Sequence, residues 1–268
     1  MMKSKKLILV AALTLGTGML CAQITTFVDN FDNGDMTQGS GNADWSNNGV
    51  WEARWFESGT TVRSIYDLGT LPANWSWSSL ANLNTFALPG AGETLSFELD
   101  ISGITMLTTG ANDDGRMYFR LVDASQTNRT LNFKDTNVPV DNIGIRAFFN
   151  DTATNAWTQG FHNNTNDGGA GVPLADYNAG LTWTINVTQD GYSLYAGATL
   201  LHEDTFANIG FSNPFATGMY PVISYGSMNS GVTYAEIDAL TVVPEPATMG
   251  ILAGFAGLAF VLIRRKRK

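Results

Sequence analysis

The chain has 268 residues, with 24 acidic against 15 basic residues, a formal net charge of −9 and 44% hydrophobic residues. Its single cysteine, Cys21, excludes a disulfide framework and a thiolate metal site. An acidic balance of this size repels phosphate backbones and anionic lipid, so nucleic acid and membrane-surface partners are set aside.

At the N-terminus, Lys3, Lys5 and Lys6 precede an apolar run over residues 7–20, followed by Cys21-Ala22-Gln23. A charged n-region, a short apolar h-region and small residues at a cleavage point make a secretory signal peptide over 1–22, cut after Ala22. Bulky Leu20 argues against lipoprotein processing through Cys21, and the run is short for an uncleaved anchor. With both termini set aside, residues 23–243 keep seven basic residues (Arg54, Arg63, Arg116, Arg120, Arg129, Lys134 and Arg146) against 23 acidic ones, a formal charge of −16. That length suits one all-β domain.

The exported segment reads as β throughout. Candidate strands fall at 50–56 and 61–66. In 94–101, Leu95, Phe97, Leu99 and Ile101 alternate with Thr94, Ser96, Glu98 and Asp100. Met117, Phe119 and Leu121 alternate with Arg116, Tyr118 and Arg120, and Trp183, Ile185 and Val187 alternate with Thr182, Thr184 and Asn186. Period two with one apolar face specifies half-buried antiparallel strands. Further candidates are 142–150, 219–225 and 232–243. Asp190-Gly191 signals a type I′ hairpin, and Ala196-Gly197-Ala198 a second reversal. No amphipathic helix and no internal repeat stand out. Many short strands separated by Gly, Asn and Asp turns predict a two-sheet antiparallel sandwich.

Beyond Val243 the character changes. Pro244 and Pro246 flank Glu245, and proline geometry makes this a stiff, extended strip suited to a protease cleft. Residues 247–263 carry no charge, long enough for a short transmembrane helix, with Gly250, Gly254 and Gly257 for close helix contact. The basic tail 264–268 stays cytoplasmic, so the domain faces outward. Val243-Pro244-Glu245-Pro246, a glycine-rich span and a basic cluster together resemble the PEP-CTERM sorting signal of Gram-negative bacteria. The resemblance implies recognition by an exosortase, transient anchoring in the inner membrane through residues 244–268, and delivery to the cell surface or extracellular matrix. A permanent single-span anchor is the alternative reading of the same residues.

The exported part resembles a concanavalin-A-like lectin/glucanase jelly roll. Phe27-Val28-Asp29-Asn30-Phe31-Asp32-Asn33-Gly34 is similar to the opening strand and turn. The hairpin over 181–206 resembles the late strand pair, and 232–243, with Glu236-Ile237-Asp238, resembles the closing strand that returns beside the first. The resemblance implies a structural Ca²⁺ where these ends meet, with Asp29, Asp32, Asp35 and Asp238 as the oxygen donors. Read as residues alone, the same acids are turn formers and surface charge.

Glycoside hydrolysis needs two carboxyls set ~5–9.5 Å apart. Glu98 with Asp100 and Glu236 with Asp238 have the i,i+2 spacing that places both on one strand face. The laminarinase-type pattern Glu-x-Asp-x-x-Glu then requires a second glutamate, and Gly103 and Thr241 stand there instead. Outward-facing acids on half-buried strands are therefore the expectation. Trp75 and Trp77 are candidate sugar-stacking platforms, as are Trp51 and Trp55, while Trp183 reads as core. His162 and His202, the two histidines, show no local ligand or triad pattern. The triplets at Asn74 and Asn186 match a glycosylation pattern that a bacterial source leaves unused. The sequence thus points to an exported, non-catalytic surface or matrix protein contacting exopolysaccharide. The alternative is a secreted carbohydrate-active enzyme on the same fold, and a matrix filler is the third reading.

Overall fold

The computed structural model describes residues 26–29, 45–49, 54–58, 61–65, 76–106, 114–128, 140–150, 154–163, 165–228 and 233–245. The expected signal peptide, the apolar segment 247–263 and the basic tail lie outside the described residues. Among the described residues no helix is long and apolar enough to cross a membrane.

Fifteen strands are described: β1 Phe27–Asp29, β2 Trp45–Gly49, β3 Arg54–Ser58, β4 Thr61–Ile65, β5 Ser76–Asn82, β6 Thr94–Met106, β7 Asp114–Asp123 and β8 Asn142–Asn150, followed by β9 Asn155–His162, β10 Thr165–Pro173, β11 Leu181–Thr188, β12 Gly191–Ala196, β13 Thr199–Thr205, β14 Met219–Met228 and β15 Thr233–Glu245. They form two antiparallel sheets. One is ordered β13-β12-β11-β6-β15-β4-β3, with β1 also pairing β15, and the other β10-β9-β8-β7-β14-β5-β2. At one side of the sandwich β13 lies against β9 and β10, and at the other β3 lies against β2 and β5. This is the expected two-sheet sandwich, with β1 returning beside the closing strand, Asp29 opposite Leu240.

The period-two pattern decides which face each strand buries. On β6, Leu95, Phe97 and Leu99 are wholly buried, and on β11 so are Trp183, Ile185 and Val187. They meet Met117, Phe119 and Leu121 of β7 and Ile143, Ile145 and Ala147 of β8 in one continuous core. Such a core is the main stabilising term in a chain without a disulfide.

Three local expectations shift. A helix, α1 Leu174–Gly180, follows β10 and buries Tyr177. At two turns it is too short to print a helical period in the sequence. Gly191 is not the turn residue of its hairpin but the first residue of β12, since Val187 pairs with Tyr192. It is glycine because a Cβ there would sit 2.4 Å from the Asp204 carbonyl oxygen on β13. The next reversal does turn on glycine: Gly197 has φ of 56°, between Ala196 and Thr199, the glycine-first pattern of a type II′ turn. Lastly, β15 runs past Val243 through Pro244 and Glu245, which pair with Leu95 and Thr94 of β6.

Candidate functional site

Alternation gives the seven-stranded sheet a second face, away from the core, and its chemistry is unlike the rest of the chain. Antiparallel register aligns Trp77 (β5), Gly226 (β14), Arg116 (β7), Phe148 (β8), Trp157 (β9) and Gly171 (β10) in one cross-strand row. The neighbouring row runs Tyr118, Arg146, Gln159, Gly169. A third places Gly144 between Arg120 and Phe161.

Arginines and rings interleave across these rows. The Arg116 guanidinium carbon lies 4.8 Å from the Phe148 ring centre, and Arg146 lies 5.2 Å from the same ring. Arg120 sits 4.9 Å from Tyr118 and 5.2 Å from Phe161, whose rings meet edge to face at 5.9 Å. These are cation–π distances. Gly144 makes the arrangement possible, because a Cβ there would come within 2.8 Å of Arg120 Cα and Cβ. Three of the seven arginines and lysines of residues 23–243 stand on this face. No carboxylate is found among its described side chains.

Burial grades along the sheet. Tyr118 and Arg120 are inaccessible, Phe148 and Arg116 are half-buried, and Trp157 is 52% exposed. Trp157 Nε1 donates to Gln159 Oε1 at 2.7 Å, which fixes the indole plane. Gln159 is 7% exposed, and its Nε2 is buried without a hydrogen-bond partner. Glycines on β10 face both residues: a Cβ at Gly169 would lie 2.7 Å from Gln159 Cβ, and Gly171, paired with Trp157, adds no side chain of its own.

A second cluster closes the seam between the sheets. His162 ends β9, Asp167 sits in the register shift of β10, and His202 and Asp204 lie on β13. His162 Nδ1 is 2.8 Å and 2.9 Å from the two Asp167 carboxylate oxygens, and Tyr192 donates to Asp167 at 3.4 Å. His202 Nε2 lies 3.8 Å from Asp167 and 3.9 Å from Asp204. Burial, then the charges of Asp167 and Asp204, raises the Tyr192 phenol well above its ordinary range. The Asn208 amide and the Thr205 backbone N–H hold Asp204 below the usual carboxylate range. Thus the two histidines, unrelated in sequence, converge on one carboxylate whose side chain is 6% exposed. Among the described residues no group of three His, Cys, Asp or Glu is placed to hold a metal ion.

The other sequence candidates are dispersed. Glu98 and Asp100 lie part-buried on the outer face of the eight-stranded sheet, with Asp100 accepting from Thr182 Oγ1 at 2.5 Å. Asp238 is exposed and has no ladder partner on β6, where Ile237 faces Ile101 and Ala239 faces Asp100, so the regular i,i+2 geometry of Glu236 and Asp238 is lost. A side chain at 103 would begin 3.2 Å from Glu236 Oε2. Asp29 is buried, while Asp32, Asp35, Trp51 and Trp75 lie outside the described residues. Trp183 is core, as expected, edge to face with Tyr177 at 6.1 Å. Trp157, Gln159 and Phe148 were not singled out by the sequence. The alternation Asn155-Ala156-Trp157-Thr158-Gln159 is their signal, weakened by the glycine-rich strand that follows.

Residues 242–268 match the model of the PEP-CTERM protein-sorting motif. No curated protein matches the chain as a relative. Among solved structures the chain is similar to an endo-1,3-beta-glucanase from Streptomyces sioyaensis, with a TM-score of 0.57 at 15% identity, covering 81% of this chain and 94% of that one. It is also similar to a laminarinase from Flavobacterium sp. UMI-01, with a TM-score of 0.52 at 9% identity over 81% and 98% of the two chains. A beta-1,3-1,4-glucanase (lichenase) from a mouse hindgut metagenome gives 0.50 at 11% identity over 82% and 100%. At these identities the likeness shows the fold. The chain thus carries a PEP-CTERM protein-sorting motif at residues 242–268, and its body has the jelly-roll fold seen in these glucanases.

Proposed function

We propose that this is an exported surface or matrix protein, processed by an exosortase, whose sandwich binds carbohydrate without cutting it. The observation that carries the reading is the cross-strand row on the seven-stranded sheet. An exposed indole and a half-buried phenyl ring on neighbouring strands form a platform. A pyranose presents an apolar face that stacks on such a ring. The glucanase-like relatives in the fold support a glycan as occupant. The sorting motif supports a matrix polysaccharide as its source.

The rival is a glycoside hydrolase, favoured by what those relatives are named for. The full-length chain, kept in detergent, is titrated with a β-1,3-glucan and with exopolysaccharide, with and without calcium, and reducing-sugar release is followed in parallel. Binding without release supports the reading, release replaces it with the enzyme, and silence in both ends the carbohydrate assignment. A sugar covering roughly 80 Å² of the free indole at ~25 cal/mol/Å² gains about 2 kcal/mol, so Trp157→Ala should weaken binding about thirtyfold.

A further inference from the structure

We infer that β1 is a strap that closes over the start of the sorting motif, so that C-terminal processing is open to the chain before β1 docks and slow afterwards. The inference rests on the exosortase reading above and adds how the fold regulates that step. The match to the sorting motif begins at Val242. That residue is no part of a dangling tail. It is wholly buried in the core, and it pairs with Phe97 of β6 on one side and with Phe27 of β1 on the other. The first residue of β1 therefore sits on the first residue of the motif. The Phe27 ring packs edge to face on Phe86 at 5.8 Å, and Phe86 does the same on Phe97 at 5.4 Å, which ties the strap to the core. Val28 and Asp29 extend the pairing to Thr241 and Leu240.

An enzyme that binds an extended segment through its backbone needs that backbone out of the sheet. Val243, Pro244 and Glu245 pair with β6, and the pairing with β1 stops short of them at Val242. Fraying from the C-terminal side frees these residues by opening the ladder to β6. At Val242 it meets a ladder on each side and stops. Undocking β1 releases about two net ladder hydrogen bonds, each worth a factor of about five, so Val242 opens roughly twentyfold more often without the strap. Cleavage that draws on the open population follows the same factor. Timing is built into the contact. β1 is the first described strand and β15 the last, so the strap closes only when the whole sandwich has been made. An exosortase acting during export meets an open motif, and one acting on the finished domain meets a closed one.

The test locks the strap with a crosslink. Val28 is 59% exposed and Thr241 half-buried, and they stand directly opposite each other in the antiparallel ladder. Such pairs hold their Cα atoms ~4.5–5.5 Å apart, within reach of a disulfide. The chain's one cysteine, Cys21, precedes the expected cut after Ala22. In cells that contain an exosortase, the full chain carrying Val28→Cys and Thr241→Cys is followed by pulse-chase with and without reductant. Processing of the folded, oxidised form should be slower than wild type by about tenfold or more and should recover on reduction. Each single cysteine variant should match the wild type. Hydrogen exchange on the full-length chain in detergent reads the strap without any enzyme. Phe27→Ser should raise exchange at residues 240–242 while 181–188 stay protected, which shows that the variant has folded, and it should speed processing in the cells. Oxidised and reduced forms processed alike, or exchange at 240–242 unmoved by Phe27→Ser, overturns the strap and leaves the sorting reading standing. No processing of any form overturns the sorting reading and the strap with it.

Discussion

Replacing Asp167 with alanine tests whether the seam cluster holds the two sheets together. Asp167 accepts from His162 Nδ1 at 2.8–2.9 Å and from the Tyr192 hydroxyl at 3.4 Å, with its side chain 6% exposed. Alanine leaves both donors in a desolvated seam without their acceptor. A hydrogen bond to a charged partner contributes roughly 1.5–3 kcal/mol, and the long Tyr192 contact adds little. The expected loss is therefore about 2–3 kcal/mol, or a fall in Tm of roughly 4–12 °C for a domain of this size. Urea unfolding should show the midpoint falling with its slope unchanged. Glu203→Ala is the control: it lies on the same strand beside His202 but is exposed, and should stay within about 0.5 kcal/mol. The double mutant with His162→Ala should return most of the loss as coupling between the two sites. If Asp167→Ala unfolds like Glu203→Ala, the seam is decoration and the reasoning fails.

Gly144→Ala places a Cβ 2.4 Å from the Phe119 carbonyl oxygen, a backbone atom that cannot yield, so destabilisation of roughly 1–3 kcal/mol is expected by urea unfolding. Burial raises the Tyr177 and Tyr192 phenols above the unfolded value near 10. The stability this represents is fully present below about pH 10 and is lost as pH rises, at about 1.4 kcal/mol per pH unit for each group. Tyr177→Phe should remove one proton's worth of that slope between pH 10 and 11, and an unchanged slope would contradict the assignment. Since Val243, Pro244 and Glu245 pair with Ser96, Leu95 and Thr94, processing must first peel the sorting motif from β6. A Gly-Ser-Gly-Ser insertion after Val242 should speed processing in a pulse-chase, and a slowed or unchanged rate would show that pairing does not gate it.

What could be read from the sequence and what could not follow one division. Strands such as 94–101 and 181–188 declare themselves because each buries one face, and alternation is local information. From them came the two sheets and the core position of Trp183, while the return of the closing strand beside the first came from the resemblance to a jelly roll. The site depends instead on register between strands far apart in sequence. Nothing near Trp157 announces that Arg116, 41 positions earlier, shares its row with only Phe148 between them. The same holds for His162 and His202, separate in the chain and joined through a carboxylate that lies in a β10 register shift. Trp77 illustrates both halves. Its spacing from Trp75 nominated it as a platform, and register set its backbone in the row that also holds Trp157. Glycine was the misleading letter: the Gly-Gly-Ala-Gly of β10 reads as loop, yet a Cβ at Gly168 would sit 2.2 Å from the Leu201 carbonyl oxygen. Those glycines let β9, β10 and β13 approach closely enough to hold Gln159 beneath the indole and Asp167 between two imidazoles. A segment that looks structureless by propensity is thus a strand packed closely against its neighbours, because close approach of backbones and loop formation both ask for the residue with no side chain.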